Sequence, residues 1–154
     1  MEPIIILTIP GEPKGKGRPR ARIVHTRGGS QFVAMYTPAK TRSYEGELAF
    51  FAQMAMKGRD LFDGPLAVDI EARFSVPHSW SNKKRINALA GVLRPTGKPD
   101  LDNIMKMVDG LNKIVWRDDS QIVDARIRKL YTDKPALVIK IARAEVLLLR
   151  SEAA

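Results

Sequence analysis

Five of the 17 acidic residues of this 154-residue chain fall between positions 100 and 119: Asp100, Asp102, Asp109, Asp118 and Asp119. Asp100-Leu101-Asp102 sets two carboxylates two residues apart, which in extended chain puts both on one side. Carboxylates held together repel, and one of them resists ionisation unless a cation neutralises the pair. Oxygen donors of this kind suit Mg²⁺, which takes one or two carboxylates, keeps waters and accepts phosphate oxygens from a substrate. Lys106 lies four residues beyond Asp102, one helical turn along the same face. An ammonium there can stabilise charge developing on a phosphate oxygen. Each residue also has a plain structural alternative. Asp100 or Asp102 can be a helix N-cap, Asp118-Asp119 can be turn residues, and Lys106 can be only the ion-pair partner of Asp102. Capping accounts for one carboxylate of the first pair and leaves the other unexplained.

Other chemistries find less support. Ile104 and Met105 follow Asp100-Leu101-Asp102 where a calcium-binding EF-hand loop needs a ligand and a glycine. His25 and His78 are the only histidines, both far along the chain from the acids, and read as surface or loop residues. Ser43, Ser75 and Ser120 lack the flanking glycines of a nucleophile elbow. Gly15-Lys16-Gly17 lacks the spacing of a nucleotide-binding P-loop. The absence of cysteine excludes disulfides, a thiol nucleophile and thiolate zinc sites.

The elements that must position these groups form one α+β domain over 1–154, a mixed β-sheet with helices packed on it. Residues 4–9 are rich in β-branched side chains and read as a buried strand. Arg27-Gly28-Gly29-Ser30-Gln31 reads as a hairpin turn with arms over 21–25 and 32–36. Thr37-Pro38 opens a helix over about 37–57 that presents Tyr44, Leu48, Phe51 and Ala55 on one face, with Ala52 and Met56 nearby; Gly58 stops it. Alternation over 66–76 gives the clearest strand. A short helix over 82–90 is capped by Ser81 and closed by Gly91. A longer helix is expected over about 101–115, with the chain folding back through Val115-Trp116-Arg117 so that both Asp pairs can meet. Two strands, 121–132 and 136–149, join across Asp133-Lys134-Pro135, and 144–150 can be strand or helix. Trp116 and Phe32 read as core, and Trp80 as the exposed aromatic.

The formal net charge of +9 is concentrated. Residues 13–44 carry Lys14, Lys16, Arg18, Arg20, Arg22, Arg27, Lys40 and Arg42 with no acid, whereas 45–154 hold 18 bases and 15 acids. Such a block attracts phosphate by counterion exchange, although a solvated basic loop has the same composition. It has no apolar face to bury in a membrane surface. The apolar run over 3–11 is too short to cross a bilayer.

The string Lys98-Pro99-Asp100-Leu101-Asp102-Asn103, with Lys106 and then Trp116-Arg117-Asp118-Asp119-Ser120-Gln121-Ile122, resembles the RusA-type Holliday-junction resolvase family. The segment Gly11-Glu12-Pro13-Lys14-Gly15-Lys16-Gly17-Arg18-Pro19-Arg20 is similar to the basic stretch that many members carry after their first strand. The resemblance implies a Mg²⁺-dependent endodeoxyribonuclease, with Mn²⁺ able to substitute, that cleaves four-way DNA junctions in recombination and repair. It implies a homodimer, which symmetric cutting of a two-fold junction also requires, and a cytoplasmic place of work with no membrane partner and no small-molecule cofactor. By residue, it makes Asp100, Asp102 and Asp119 the metal-binding acids, Asp119 being the second of its pair, and Lys106 the catalytic lysine. Lys14, Lys16, Arg18, Arg20 and Arg22 are then the DNA-binding set. One departure stands out: between Lys106 and Asp109-Gly110-Leu111 the chain is one residue shorter than the usual family spacing. On a continuous α-helix that would turn the second half by about 100°. Two other readings fit the residues: a non-catalytic nucleic-acid-binding module, and a nuclease for other branched DNA or for RNA.

Overall fold

The computed structural model describes residues 3–145. Strand β1 (Ile5–Pro10) alternates buried and exposed positions, and leads through a basic strap into the hairpin β2 (Arg20–His25) and β3 (Gln31–Tyr36). Helix α1 (Ala39–Met56) follows, then β4 (Leu66–Ser75), α2 (Asn82–Leu89) and the five-residue α3 (Leu101–Met105). A 3₁₀ segment (Lys106–Leu111) and a 3₁₀ turn (Asp119–Gln121) lead into β5 (Ile122–Thr132) and β6 (Ala136–Arg143). The fold is α+β with a mixed four-stranded sheet in the order β1-β6-β4-β5: β6 is antiparallel to β1 and β4, and β5 is parallel to β4.

The core lies on one face of this sheet. Thr41, Tyr44, Leu48, Ala52 and Met56 recur at helical spacing along α1 and are all buried. They cluster with Ile5, Leu7 and Ile9 of β1, Ile70 of β4, Ile139 of β6, and Met107, Val108 and Trp116 beyond α3. Ala52 and Met56 thus belong to the buried stripe, and Phe51 and Ala55 flank it. Helix α1 stops as expected, with Lys57 and Gly58 both in the left-handed region (φ 50° and 73°). Ser81 caps α2 by accepting the Lys84 N–H at 3.3 Å.

On the sheet's other face, Asp69 and Glu71 of β4 share Arg128 of β5, each 2.8 Å from its Nη2. Burial raises the Glu71 pKa, but the Arg73 hydrogen bond and charge, with Lys140 and Arg128, outweigh it and hold the carboxyl below its ordinary value.

Several expectations are corrected. The helix over 101–115 is α-helical only to Met105 and then tightens to 3₁₀ winding. Gly110 weakens continuation, and the Asn112 side chain is claimed by Trp116, whose Nε1 donates to Asn112 Oδ1 at 2.7 Å. Lys113 then turns left-handed (φ 64°). Strands β5 and β6 are joined by a short connection but do not pair; β4 inserts between them. Its row of buried residues, Leu66, Ala67, Val68, Ile70 and Ala72, suits a central strand. Strand β6 ends at Arg143, and residues beyond 145 lie outside those described. Phe32 is 52% exposed on the hairpin, because β2 and β3 form a separate two-stranded sheet with no buried residue. Trp80 is half-buried, its ring 5.3 Å from Tyr131 with the Lys84 ammonium 3.9 Å above it. No helix among the described residues is long and apolar enough to cross a membrane.

Candidate active site

Trp116 is fully buried, so the chain after it is anchored to the core. The next residues form a tight capped turn. Asp118 accepts the Ser120 N–H at 2.8 Å, while Gln121 accepts the N–H groups of Arg117 and Asp118. Gln121 also donates to the carbonyls of Phe62 and Gly64. This is a capping box, and it uses Asp118 as a turn residue; the hydrogen bonds from Ser120 hold its carboxyl below the ordinary value. Asp119 is left to face a cleft of about 340 Å³.

Asp102 and Lys106 line the same cleft from α3 and the start of the 3₁₀ segment. The fold-back through Val115-Trp116-Arg117 therefore brings the two Asp regions together. Lys106 Nζ lies 2.7 Å from Asp102 Oδ2, in a pair whose side chains are 53% and 74% exposed. So open a pair contributes only a few tenths of a kcal/mol, and the ammonium stays accessible to a substrate.

Two further carboxylates line the cleft that the sequence reading did not place in the site, Asp109 and Asp124. Asp109 raises the pKa of Asp119 through a shared carboxyl–carboxyl hydrogen bond, the largest cause; burial adds to the rise and Asn112 opposes it. Asn112 Nδ2 stands 3.5 Å from Asp119 Oδ1. Asp124 enters through an irregularity in strand pairing: Leu66 pairs with Ile122 but Ala67 with Asp124, so Val123 is bulged out and is 62% exposed.

Asp100 does not line the cleft. It occupies the N-cap position of α3, yet its side chain makes no capping hydrogen bond. The carboxylate has no hydrogen-bond or ion-pair partner among the described residues, so capping does not explain it.

The basic strap crosses this motif in contact. The Lys16 N–H donates to the Asn103 carbonyl at 2.8 Å, and a Cβ on Gly15 would stand 2.8 Å from Pro99 Cβ and 2.9 Å from Asn103 Cβ. Only glycine permits this approach. Lys16 Nζ pairs with Asp109 at 3.3 Å and Glu45 at 3.7 Å. Lys14 Nζ sits 5.6 Å from the centroid of the buried Tyr44 ring. Arg18 is exposed; Arg20 and Arg22 project from one face of β2, and Arg22 stacks over Tyr36. His25 and His78 are exposed, away from the cleft.

The donor set of the cleft is all carboxylate oxygen, with Asp109 and Asp119 crowded together, which is the chemistry Mg²⁺ accepts. Among the described residues, no three His, Asp or Glu side chains converge closely enough to enclose an ion by themselves. Attachment through two carboxylates, with waters and substrate oxygens completing the shell, is the mode this arrangement fits.

The fold and cleft define an α+β protein with clustered carboxylates beside a basic strap. A family model described as endodeoxyribonuclease RusA matches residues 10–142, most of the chain. The chain belongs to the RusA endodeoxyribonuclease family, whose activity is hydrolysis of DNA. It is also similar to the uncharacterized protein YqaN of Bacillus subtilis (strain 168), 39% identical over 140 residues, covering 89% of this chain and 94% of the relative.

The 3₁₀ winding sets where Asp109 stands relative to Lys106. Four residues of α-helix rise about 6 Å and turn about 400°, which leaves the side chains 40° apart in projection. Three residues of 3₁₀ helix also rise about 6 Å and turn about 360°. The 3₁₀ segment Lys106–Leu111 therefore sets Asp109 one turn, about 6 Å, beyond Lys106 on the same face.

Proposed function

We propose that this chain is a divalent-metal-dependent endonuclease that resolves four-way DNA junctions, working as a homodimer in the cytoplasm. The observation that carries the reading is the convergence of Asp102, Lys106 and Asp119, from two separate segments, on one open cleft next to a clamped basic strap. Asp102 and Asp119 would hold Mg²⁺, or Mn²⁺ in its place, with Asp100 joining them through its uncommitted carboxylate. The bound cation would supply charge neutralisation at phosphate oxygens and acidify a water.

The chain's own groups do the remaining work. Lys106 is poised to exchange its exposed partner Asp102 for a non-bridging phosphate oxygen and to stabilise charge there. Lys14, Arg18, Arg20 and Arg22 would hold backbone phosphates, positioning DNA without reading its sequence. Lys16, already paired with Asp109, would couple the strap to the acidic centre. A junction has two strands to cut symmetrically, so two copies related by a two-fold axis supply the two sites.

Side-by-side digestion of a synthetic four-way junction, a flap, linear duplex and RNA with Mg²⁺ tests this. Paired nicks confined to the junction are expected. Preferred cutting of flap or RNA would replace the substrate, and binding without cutting of any of them would leave a non-catalytic module.

A further inference from the structure

Beside the acidic cleft lies a second, larger cavity of about 730 Å³, lined by the strap, the first turn of α1 and the segment leading into α3. Lys14, Lys16, Lys40 and Lys98 all contribute to its wall, and no carboxylate does. These four lysines come from three separate segments. The Lys16 ammonium is paired with Asp109 and Glu45, so the exposed Lys40 and Lys98 carry the unneutralised charge, and like charges gathered at one concavity raise the local anion concentration. Neither Lys40 nor Lys98 has a hydrogen-bond or ion-pair partner among the described residues. The wall also holds Thr41, 5% exposed.

The cavity has a fixed rim. The Gly17 N–H donates to Thr41 Oγ1 at 3.2 Å, and the Lys16 N–H to Asn103 O at 2.8 Å, so the strap is tied to both other walls. A Cβ on Gly17 would meet Thr41 Oγ1 at 2.8 Å, so the strap lies tight against α1 here. The first turn of α1 carries no acidic residue, and no side chain caps it, which leaves its N-terminal potential uncancelled.

Its location gives the ligand. Asp102 lines the acidic cleft, and its chain neighbour Asn103 lines the basic cavity. Lys16 lines the cavity and pairs with Asp109, which lines the cleft. An acidic cleft by itself repels a DNA strand, so contacts to phosphates beside the reacting one add to what the cation and Lys106 supply in holding it there.

We propose that this cavity is a binding site for a DNA backbone phosphodiester next to the one that is cut, with Lys40 and Lys98 as its anchoring cations. The proposal rests on the nuclease reading of the acidic cleft and adds two lysines and a cavity to it. Lysine binds phosphate as a point charge, and a cavity of this size admits the phosphate with its flanking sugar.

The test is the salt dependence of junction binding, measured by fluorescence anisotropy in EDTA so that no cutting occurs. For Lys40→Ala/Lys98→Ala, the plot of log K against log[salt] should become shallower by about 1 to 2, and affinity near 0.15 M salt should fall about tenfold or more. Lys134→Ala, in the exposed turn after β5, should match wild type. Inorganic phosphate should raise the Tm of the wild type and leave that of the double variant unmoved. A double variant with the wild-type salt slope and affinity overturns the proposal while the nuclease reading stands. A variant that loses the response to inorganic phosphate but keeps the wild-type DNA slope also overturns it, because the cavity then takes free anions only. Wild-type protein that binds no junction at all would overturn both readings. Circular dichroism of the double variant, expected to match wild type, shows that the lost binding is not lost folding.

Discussion

Replacing Gly15 with alanine adds one methyl group where the strap crosses the Asp100-Leu101-Asp102-Asn103 motif. The new Cβ would stand 2.8 Å from Pro99 Cβ and 2.9 Å from Asn103 Cβ. Carbon atoms rest at about 3.5–4.0 Å, so strap and α3 must part by roughly 1 Å. Both obstructing atoms are Cβ atoms fixed to the backbone, and no rotamer change relieves the contact. The shift breaks or lengthens the Lys16 N–H to Asn103 O bond and draws Lys16 from Asp109. One such bond is worth about 1 kcal/mol, which for a chain of this size corresponds to a Tm lower by about 2–4 °C. Displacement of about 1 Å beside reacting groups can cost on the order of a hundredfold in rate. Cleavage of a synthetic junction under single-turnover conditions should therefore fall about 10- to 100-fold, far more than the small stability loss explains. Gly46→Ala is the control: that position in α1 has nothing within 4 Å, and helix propensity should raise stability by about 0.5–1 kcal/mol with unchanged cleavage. Wild-type cleavage by Gly15→Ala would refute the claim that strap and acidic motif act as one unit.

Asp102→Asn should reduce junction cleavage at least 100-fold while binding in EDTA holds or tightens, since one negative charge leaves the cleft; gel-shift and cleavage assays on the same preparation separate the two. Arg20→Ala/Arg22→Ala should weaken junction binding equally for all sequences and lower the salt slope by about 2, read by anisotropy titrations. Glu71→Gln should cost about 1–2 kcal/mol at pH 7, because it weakens charge-assisted bonds to Arg73 and Arg128. The native pKa of Glu71 is depressed below 4.5, so its contribution is complete above that pH and is lost as pH falls through the lower native value. Urea unfolding at pH 7 and pH 3 should show the gap between wild type and variant closing at the acid end.

Much of this was legible in the chain because local chemistry decides it. The Ser81 cap and the stop at Lys57-Gly58 depend on residues a few positions apart. The i,i+4 spacing of Asp102 and Lys106 survives because α3 is helical just that far. Long-range geometry was not legible. The insertion of β4 between β5 and β6 is decided by which strand can be covered on both sides, and a short Asp133-Lys134-Pro135 connection suggests the opposite. The helix expected to reach position 115 leaves α-helical winding after Met105, and Lys113 turns left-handed.

The site divides in the same way. Asp118 and Asp119 look alike in sequence, and only the capping box distinguishes them. Asp109 lies among the clustered acids in the sequence, but its approach to Asp119 depends on the fold-back after the 3₁₀ segment, which no local pattern announces. Asp124 was hidden by the bulge at Val123, since simple alternation carries no sign of an extra residue. Asp100, by contrast, was readable as an acid in want of a partner, and it still has none among the described residues.

The central claim is that the cleft holding Asp102 and Asp119 is where the metal binds and the DNA is cut. Anomalous scattering from crystals grown with Mn²⁺ tests it most directly. The account predicts a peak within bonding distance of carboxylate oxygens of both Asp102 and Asp119, lost in crystals of Asp119→Asn. A peak that contacts neither residue, or an empty cleft at millimolar Mn²⁺ in protein that cuts junctions, would contradict it.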